Sequence, residues 1–292
     1  MQGTIIKLIS NQYDVELENK EIVKCMARGK VRLNGLTPLA GDRVVVDKFD
    51  DKYGIEKILD RTNYLKRPAI ANVDQALVVM SAKEPDFSAQ LVDQLIFLIS
   101  LANIKPLILV TKMDLIKEDD YVNVLINDYK KSGYTVLLSG KDEITDAKKL
   151  AEVLKGKITV LAGQSGVGKS SLLNRLAPDF KLETQEISKA LGRGKHTTRH
   201  VELPKVADGY VADTPGFSKL DFTRVKKNEL TLAINDFSSY LGKCRFRDCL
   251  HDKEPDCAIK NAVNDGKISQ IRYRHYLECL RIIEEEGIKD YE

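Results

Sequence analysis

Apolar and polar residues alternate near the start of the chain. Tyr13, Val15 and Leu17 are interleaved with Asp14, Glu16 and Glu18, the period of two that a strand with one face on a core requires. Residues 4–9 read as a strand before this one, and residues 21–26, 42–48 and 54–59 as strands after it, with turn residues such as Asn34-Gly35 and Asp50-Asp51 between them. Five short strands within residues 1–66 predict a small closed barrel, because an open sheet of that size would expose both edges. An oligonucleotide-binding (OB) barrel is the expected form.

From residue 67 to 225 the pattern changes to alternating strands and helices. Residues 75–80 form an apolar run of strand length, and the helix over 88–101 places Leu91, Leu95, Leu98 and Ile99 on one face. Strands at 106–110, 134–138 and 157–161 alternate with helices at 121–130 and 144–154, and 201–204 with 209–212 reads as a hairpin. This order predicts an α/β domain with a mostly parallel sheet covered on both faces. Residues 226–292 form a third, mainly α-helical region: a polar helix, a Cys/His cluster, then a charged helix near 267–286.

Composition narrows the classes. A chain of 292 residues with 43% hydrophobic and 30% charged residues is an ordinary folded protein with room for three domains. A net charge of +3 gives no bulk attraction to nucleic acid, so such a partner must rest on local patches. The longest apolar run, residues 95–99, is too short to span a bilayer, and the N-terminus lacks the basic start and apolar run of a secretory signal. A cytoplasmic protein with no membrane partner is expected, its five cysteines being thiols or metal ligands.

The chemistry lies in four segments. Gly163-Gln164-Ser165-Gly166-Val167-Gly168-Lys169-Ser170 is a complete phosphate-binding loop between a strand and a helix that opens at Ser171. Its glycines let backbone N–H groups converge on phosphate, Lys169 reaches the terminal phosphates, and the Ser170 hydroxyl ligates Mg2+. Thr111-Lys112-Met113-Asp114 follows a strand; the Asp114 carboxylate can accept from both the ring N–H and the amine of guanine, which selects GTP over ATP, while Lys112 lays its stem against the base. Ser139 is placed to offer a backbone N–H to the guanine oxygen. Asp213-Thr214-Pro215-Gly216 ends a strand, with Asp213 on the metal's water shell and the Gly216 N–H on the γ-phosphate. Between them, in Gly192-Arg193-Gly194-Lys195-His196-Thr197-Thr198-Arg199, Thr197 and Thr198 compete as the second Mg2+ ligand. Phe217 stands where many GTPases carry the glutamine that orients water, which makes His196 the candidate catalytic group.

Cys244, Cys249, His251 and Cys257 are spaced C-x4-C-x-H-x5-C and make up a closed set of three thiolates and one imidazole, expected to hold one structural zinc. Lys243, Arg245 and Arg247 beside the cluster, and Lys267, Arg272, Arg274 and Arg281 interleaved with Tyr273 and Tyr276, are residue types that suit RNA, although Glu278 and Glu284 to Glu286 dilute the charge.

The order of these motifs is rotated: the guanine loop precedes the phosphate loop. With the barrel in front, Gly-Arg-Gly-Lys-His-Thr-Thr between the loops and the Cys/His cluster behind, the whole chain resembles the ribosome small-subunit-dependent GTPase A (RsgA) family. The resemblance implies a circularly permuted GTPase with an OB barrel over 1–66, a GTPase domain over 67–225 and a zinc domain over 226–292. It implies action late in maturation of the small ribosomal subunit, with the subunit and its rRNA as partners and stimulators of GTP hydrolysis to GDP. It matches Phe217 to the hydrophobic residue that replaces the usual glutamine and His196 to a switch histidine. Ser139-Gly140 departs from the Ser-Ala of many GTPases. A monomer is expected. The rival readings are an RNA-binding adaptor gated by nucleotide, and a permuted GTPase of large-subunit assembly.

Overall fold

The computed structural model of the chain describes residues 1–9, 11–27, 37–50, 52–66, 69–140, 144–169, 171–172, 200–213, 220–222 and 225–289. Its N-terminal part is the expected barrel: β1 (Gln2–Ile9), β2 (Gln12–Leu17), β3 (Ile22–Ala27), β4 (Arg43–Phe49) and β5 (Lys52–Ile58). They run in the order β1-β2-β3-β5-β4, and β1 also pairs with β4, which closes the ring. The β3–β5 pairing is parallel and the others antiparallel. Closure pairs both end strands of the five and packs Ile5, Val15, Cys25, Val44, Val46 and Ile55 into one core.

The rest of the chain continues with β6 (Tyr64–Lys66), β7 (Ala69–Ala71), β8 (Gln75–Ser81), α1 (Ala89–Leu101), β9 (Lys105–Thr111), α2 (Tyr121–Lys131), β10 (Val136–Leu138), α3 (Ile144–Leu154) and β11 (Ile158–Ala162). Then come β12 (His200–Glu202), β13 (Lys205–Val206), β14 (Gly209–Asp213), α4 (Lys227–Leu232), α5 (Ala258–Asn264) and α6 (Gln270–Lys289). The second sheet has the order β10-β9-β8-β11-β14-β13. Side chains at the helix starts explain where α1 and α2 begin: Ser88 accepts from the N–H of Leu91 (3.3 Å), and Asp120 from that of Val122 (2.9 Å). α1 is buried on more than the one face its spacing predicts, because it packs against both β9 and α6, and this burial takes in Asp93.

The chain divides into two compact units. The first holds the barrel with residues 144–162 and 168–218; β11 pairs in parallel with β14 here, and β14 antiparallel with β13. The second holds residues 78–143, 163–167 and 219–292, with β10 parallel to β9. β8 supplies residues to both.

The expected hairpin is different in the structure. Val201 pairs with Leu8 of β1, so residues 200–202 are a sixth strand on the barrel's sheet. The hairpin is β13–β14, turning at Ala207 (φ 49°) and Asp208 (φ 59°), the left-handed pair of a two-residue turn. Gly209 is required there, since a Cβ would lie 1.9 Å from the Leu154 carbonyl oxygen. A register break between Ile5 and Lys7 lets one half of β1 serve β4 and the other half β12.

Candidate functional site

The phosphate-loop sequence leaves β11, whose five residues are all buried. Gly163 (φ 135°), Gly166 (φ 84°) and Gly168 (φ 93°) all take backbone conformations open to glycine. At Gly163 a Cβ would meet the Val79 carbonyl oxygen at 2.1 Å, so the loop's first glycine is fixed by a close approach to β8 as well as by its φ. The Leu172 N–H donates to the Gly168 carbonyl (3.0 Å), which marks the start of the following helix. Gln164, Ser165 and Gly166 are exposed, Val167 is buried, and Gly168 and Lys169 are half-buried.

The Thr111–Asp114 segment follows β9. Thr111, expected to face the nucleotide, is buried, and its hydroxyl donates to the Val167 carbonyl at 2.6 Å. This bond joins the guanine loop to the phosphate loop directly. Lys112 takes a left-handed conformation (φ 56°), and its ammonium donates to the Glu84 carbonyl. Met113 and Asp114 lie on a 3-10 turn, and the Asp114 side chain is open to solvent. Ser139 behaves differently from expectation. Its N–H donates to the Val110 carbonyl (2.8 Å) instead of standing free for a base, and its carbonyl accepts from the Met113 N–H (3.2 Å). Ser139 therefore braces the guanine loop through the β9–β10 end of the sheet.

The Cys/His cluster is assembled as its spacing predicts. The ligand atoms of Cys244, Cys249, His251 and Cys257 all lie within 4.8 Å of one another. Cys244 Sγ and Cys257 Sγ are 3.6 and 3.4 Å from His251 Nδ1 and 3.8 Å from each other. These are edge lengths of a tetrahedron around one ion, roughly 3.3–3.8 Å for thiolate and imidazole ligands. His251 adopts a left-handed backbone (φ 61°), its carbonyl accepts from Tyr273 Oη (2.7 Å), and the Leu250 carbonyl accepts from Tyr276 Oη. Burial pushes the Cys249 thiol up to about 12 and lowers the His251 imidazole below its usual value. A bound cation would reverse that cost for the thiolates. The donor set fits a metal ion.

Comparison with known proteins agrees with this geometry. The profile of the RsgA GTPase matches residues 58–223, and that of the RsgA N-terminal domain residues 2–55. The small ribosomal subunit biogenesis GTPase RsgA of Bacillus pumilus is 48% identical over 97% of this chain and 98% of its own. The protein of the same name from Bacillus subtilis is 46% identical over 97% and 98%. The chain belongs to the RsgA GTPase family. Among solved structures, YloQ, a circularly permuted GTPase, matches with a TM-score of 0.85 and 41% identity over 97% of this chain and 95% of that one. YjeQ from Thermotoga maritima gives 0.83 and 36% over 97% and 98%. The permuted order of motifs read from the sequence is thus a family property, and with it comes GTP hydrolysis.

In this RsgA-family chain several expected residues fall outside the described ones: Ser170, His196, Thr197, Thr198 and Gly216, with Phe217 and the side chain of Asp213. The backbone of Asp213 is described, and pairs with Leu161 at the end of β14. No helix among the described residues is long and apolar enough to cross a membrane.

The set of residues expected on RNA is partly structural. Arg272 is 1% exposed. Its guanidinium donates to Asp93 (3.2 Å), Asp128 (3.2 Å), Ser132 (2.6 Å) and Asp236, and lies over the rings of Tyr129 and Tyr134. Burial works against the charge, but the Asp93 and Asp236 carboxylates outweigh it and hold the guanidinium protonated. Tyr276 is fully buried, and Tyr273 is tied to His251. The signal for Arg272 was in its spacing: Arg272, Tyr276, Leu280 and Ile283 recur at helical intervals and are all buried. Lys267, Arg274 and Arg281 stay at the surface, and so does the loop that runs from Lys243 past Cys244 towards Cys249. There Phe246 is 40% exposed with the Arg245 guanidinium over its ring, and Lys243 and Arg247 are exposed.

Proposed function

We propose that this chain is a cytoplasmic, monomeric GTPase of small ribosomal subunit biogenesis, whose hydrolysis the subunit stimulates. The supporting observation is the full-length match to relatives of that name, at 46–48% identity over 97% of the chain. The motifs that such an activity needs stand in the family's permuted order.

In this reading the N–H groups of residues 163–171 and the Lys169 ammonium hold the phosphates, while Asp114 and Lys112 hold guanine. Ser170, Asp213 and one of Thr197 and Thr198 hold Mg2+, which when bound neutralises phosphate charge. The Gly216 N–H meets the γ-phosphate. His196 orients the attacking water; a new P–O bond forms to the γ-phosphorus as the bond to the β–γ bridging oxygen breaks, giving GDP and phosphate. Thr111 acts behind this set by fixing the guanine loop to the phosphate loop. Cys244, Cys249, His251 and Cys257 would hold a zinc ion in a structural role, since three thiolates and an imidazole would fill its positions. Phe246, with Arg245, Arg247 and Lys243, offers a stacking face with phosphate-binding charge to rRNA, and the barrel offers a second surface.

Turnover of GTP with and without purified small subunits tests the reading. A stimulated rate is expected, and His196→Ala is expected to lower that rate far more than it lowers GTP affinity. Equal rates with and without subunits would remove the stimulation, and an unaltered His196→Ala rate would remove His196 from catalysis.

A further inference from the structure

The stretch between the two metal-side segments, residues 200–213, is fastened to the barrel. β12 begins directly after the Gly192–Arg199 sequence and pairs with β1, Ile9 to His200, Leu8 to Val201 and Lys7 to Glu202. The Leu203 N–H extends the ladder to the Ile6 carbonyl (2.8 Å), and Leu203 is buried. The Lys7 ammonium meets the Glu202 carboxylate at 2.9 Å. The chain then enters β13–β14, whose last residue is Asp213. Here the barrel makes its second attachment: Glu16 of β2, 8% exposed, accepts from the Lys205 ammonium at 3.0 Å, with Lys20 at 3.5 Å on its other oxygen.

Glu16 is an unusual residue for that place. Its strand alternates, and Glu16 sits on the polar side of the alternation beside Val15 and Leu17, yet it is buried with them. A carboxylate buried to this degree needs a cation, and the nearer of its two lysines belongs to the hairpin and not to the barrel. The contact is therefore directional. It holds β13 to the barrel, and β13 pairs with the start of β14 through Lys205–Tyr210 and Val206–Gly209, while β11 holds the other edge of β14 up to Asp213.

We propose that Glu16 is a positioning residue for GTP hydrolysis: through Lys205 it fixes the β13–β14 hairpin, and so the place of Asp213, against the barrel. The barrel is then the mount of the metal-side half of the nucleotide site. This rests on the reading of Asp213 as a metal-side residue, and the two can fail separately.

The experiment uses the full-length chain without ribosomal subunits, measuring kcat and KM for GTP, GDP affinity, and thermal unfolding of each variant. Asp213→Asn is expected to abolish hydrolysis. Lys205→Met and Glu16→Gln are each expected to lower kcat by about fivefold or more, with KM and GDP affinity within about twofold of the original. Lys205→Arg, which keeps the ion pair, is expected to restore kcat. Lys205 is 47% exposed and Lys20 still faces Glu16 at 3.5 Å, so the methionine variant should lower the unfolding temperature only slightly, and it decides the matter if Glu16→Gln fails to fold. An inactive Asp213→Asn beside fully active Lys205→Met overturns the positioning role and leaves the Asp213 reading standing. An active Asp213→Asn overturns the reading and the role with it. A loss of kcat matched by a lower unfolding temperature in Lys205→Met, and not restored by arginine, reduces the pair to a stabilising contact and also overturns the role.

Discussion

The two halves of the nucleotide domain are fastened in different ways. In the first unit the segment that ends at Asp213 is held by a three-residue strand and by ion pairs, Lys7–Glu202 and Lys205–Glu16, whose lysines reach solvent. In the second unit the half that carries the guanine loop is held to the C-terminal region by Arg272. That guanidinium is almost fully buried, with Asp93 and Asp236 both buried around it and two tyrosine rings against it. Ion pairs open to water are weak and screened by salt. A buried pair resists both, but is ruinous when one partner is missing. The contrast suits the division of labour in a GTPase. On the proposed reading, base recognition needs a fixed frame, while the elements proposed for the metal side respond to loss of the γ-phosphate.

The largest effect expected from breaking the rigid side is metal removal. Structural zinc is worth roughly 10–16 kcal/mol of apparent binding in small zinc-dependent folds, more than any single side chain contributes. One zinc per purified chain is expected by elemental analysis. Chelation is expected to expose residues 244–257 to limited proteolysis, because Phe237 packs edge-on to His251 and Tyr276 and would lose that support. The barrel should stay protected. A metal-free chain with unaltered protection throughout would mean that the cluster does not hold this region together.

Next in size is Arg272→Met. It leaves buried Asp236 without its cation and Asp93 with only the His275 imidazole at 2.6 Å, at a cost of roughly 3–5 kcal/mol in urea denaturation. Adding Asp93→Asn to the same chain should recover part of the loss, since the neutral amide no longer needs a counter-charge and can still face Tyr129, whose hydroxyl donates to Asp93 at 2.9 Å. A cost below about 1 kcal/mol would place the rigidity of this half elsewhere.

The same contrast explains what could be read from the chain. The barrel was legible because alternation over a closed sheet has one solution: strands near residues 4–9, 13–17, 21–26, 42–48 and 54–59 all form. Both short motifs expected at the nucleotide site stand out in the chain because phosphate and guanine binding ask for set residue types at fixed spacing. The fastenings were not, because each depends on a partner far away in sequence. Glu16 looked solvent-facing, since a period of two cannot show that a hairpin 189 residues later covers it. Residues 201–204 looked like half of a hairpin, since pattern alone cannot show that a neighbouring barrel offers a longer ladder. Thr111 opens the guanine motif, and nothing in the motif shows that its hydroxyl reaches a carbonyl 56 positions on. Arg272 looked like part of a basic face, and its place on an apolar stripe was the overlooked sign.

The smallest effect concerns pH and the softer side. Burial alone would raise the Glu16 carboxyl, but hydrogen bonds from Lys205 and the Tyr210 hydroxyl, with the Lys205 and Lys20 charges, outweigh it and hold it below the usual glutamate value of 4.5. A carboxyl lowered in the folded state stabilises fully above its unfolded value and loses that contribution as pH falls through the lowered one. The difference in unfolding free energy between the original chain and Glu16→Gln should therefore be flat from about pH 8 to pH 5 and shrink below that. With Lys205 half-exposed the difference itself should be about 1 kcal/mol or less, and smaller in high salt. Arg272→Met should show far less decay with salt, because water does not reach Asp93 or Asp236, although Asp128 is partly open to it. If the Glu16→Gln difference is as insensitive to salt as that of Arg272→Met, the distinction between a soft and a rigid fastening is lost, and both halves of the nucleotide domain are held in the same way.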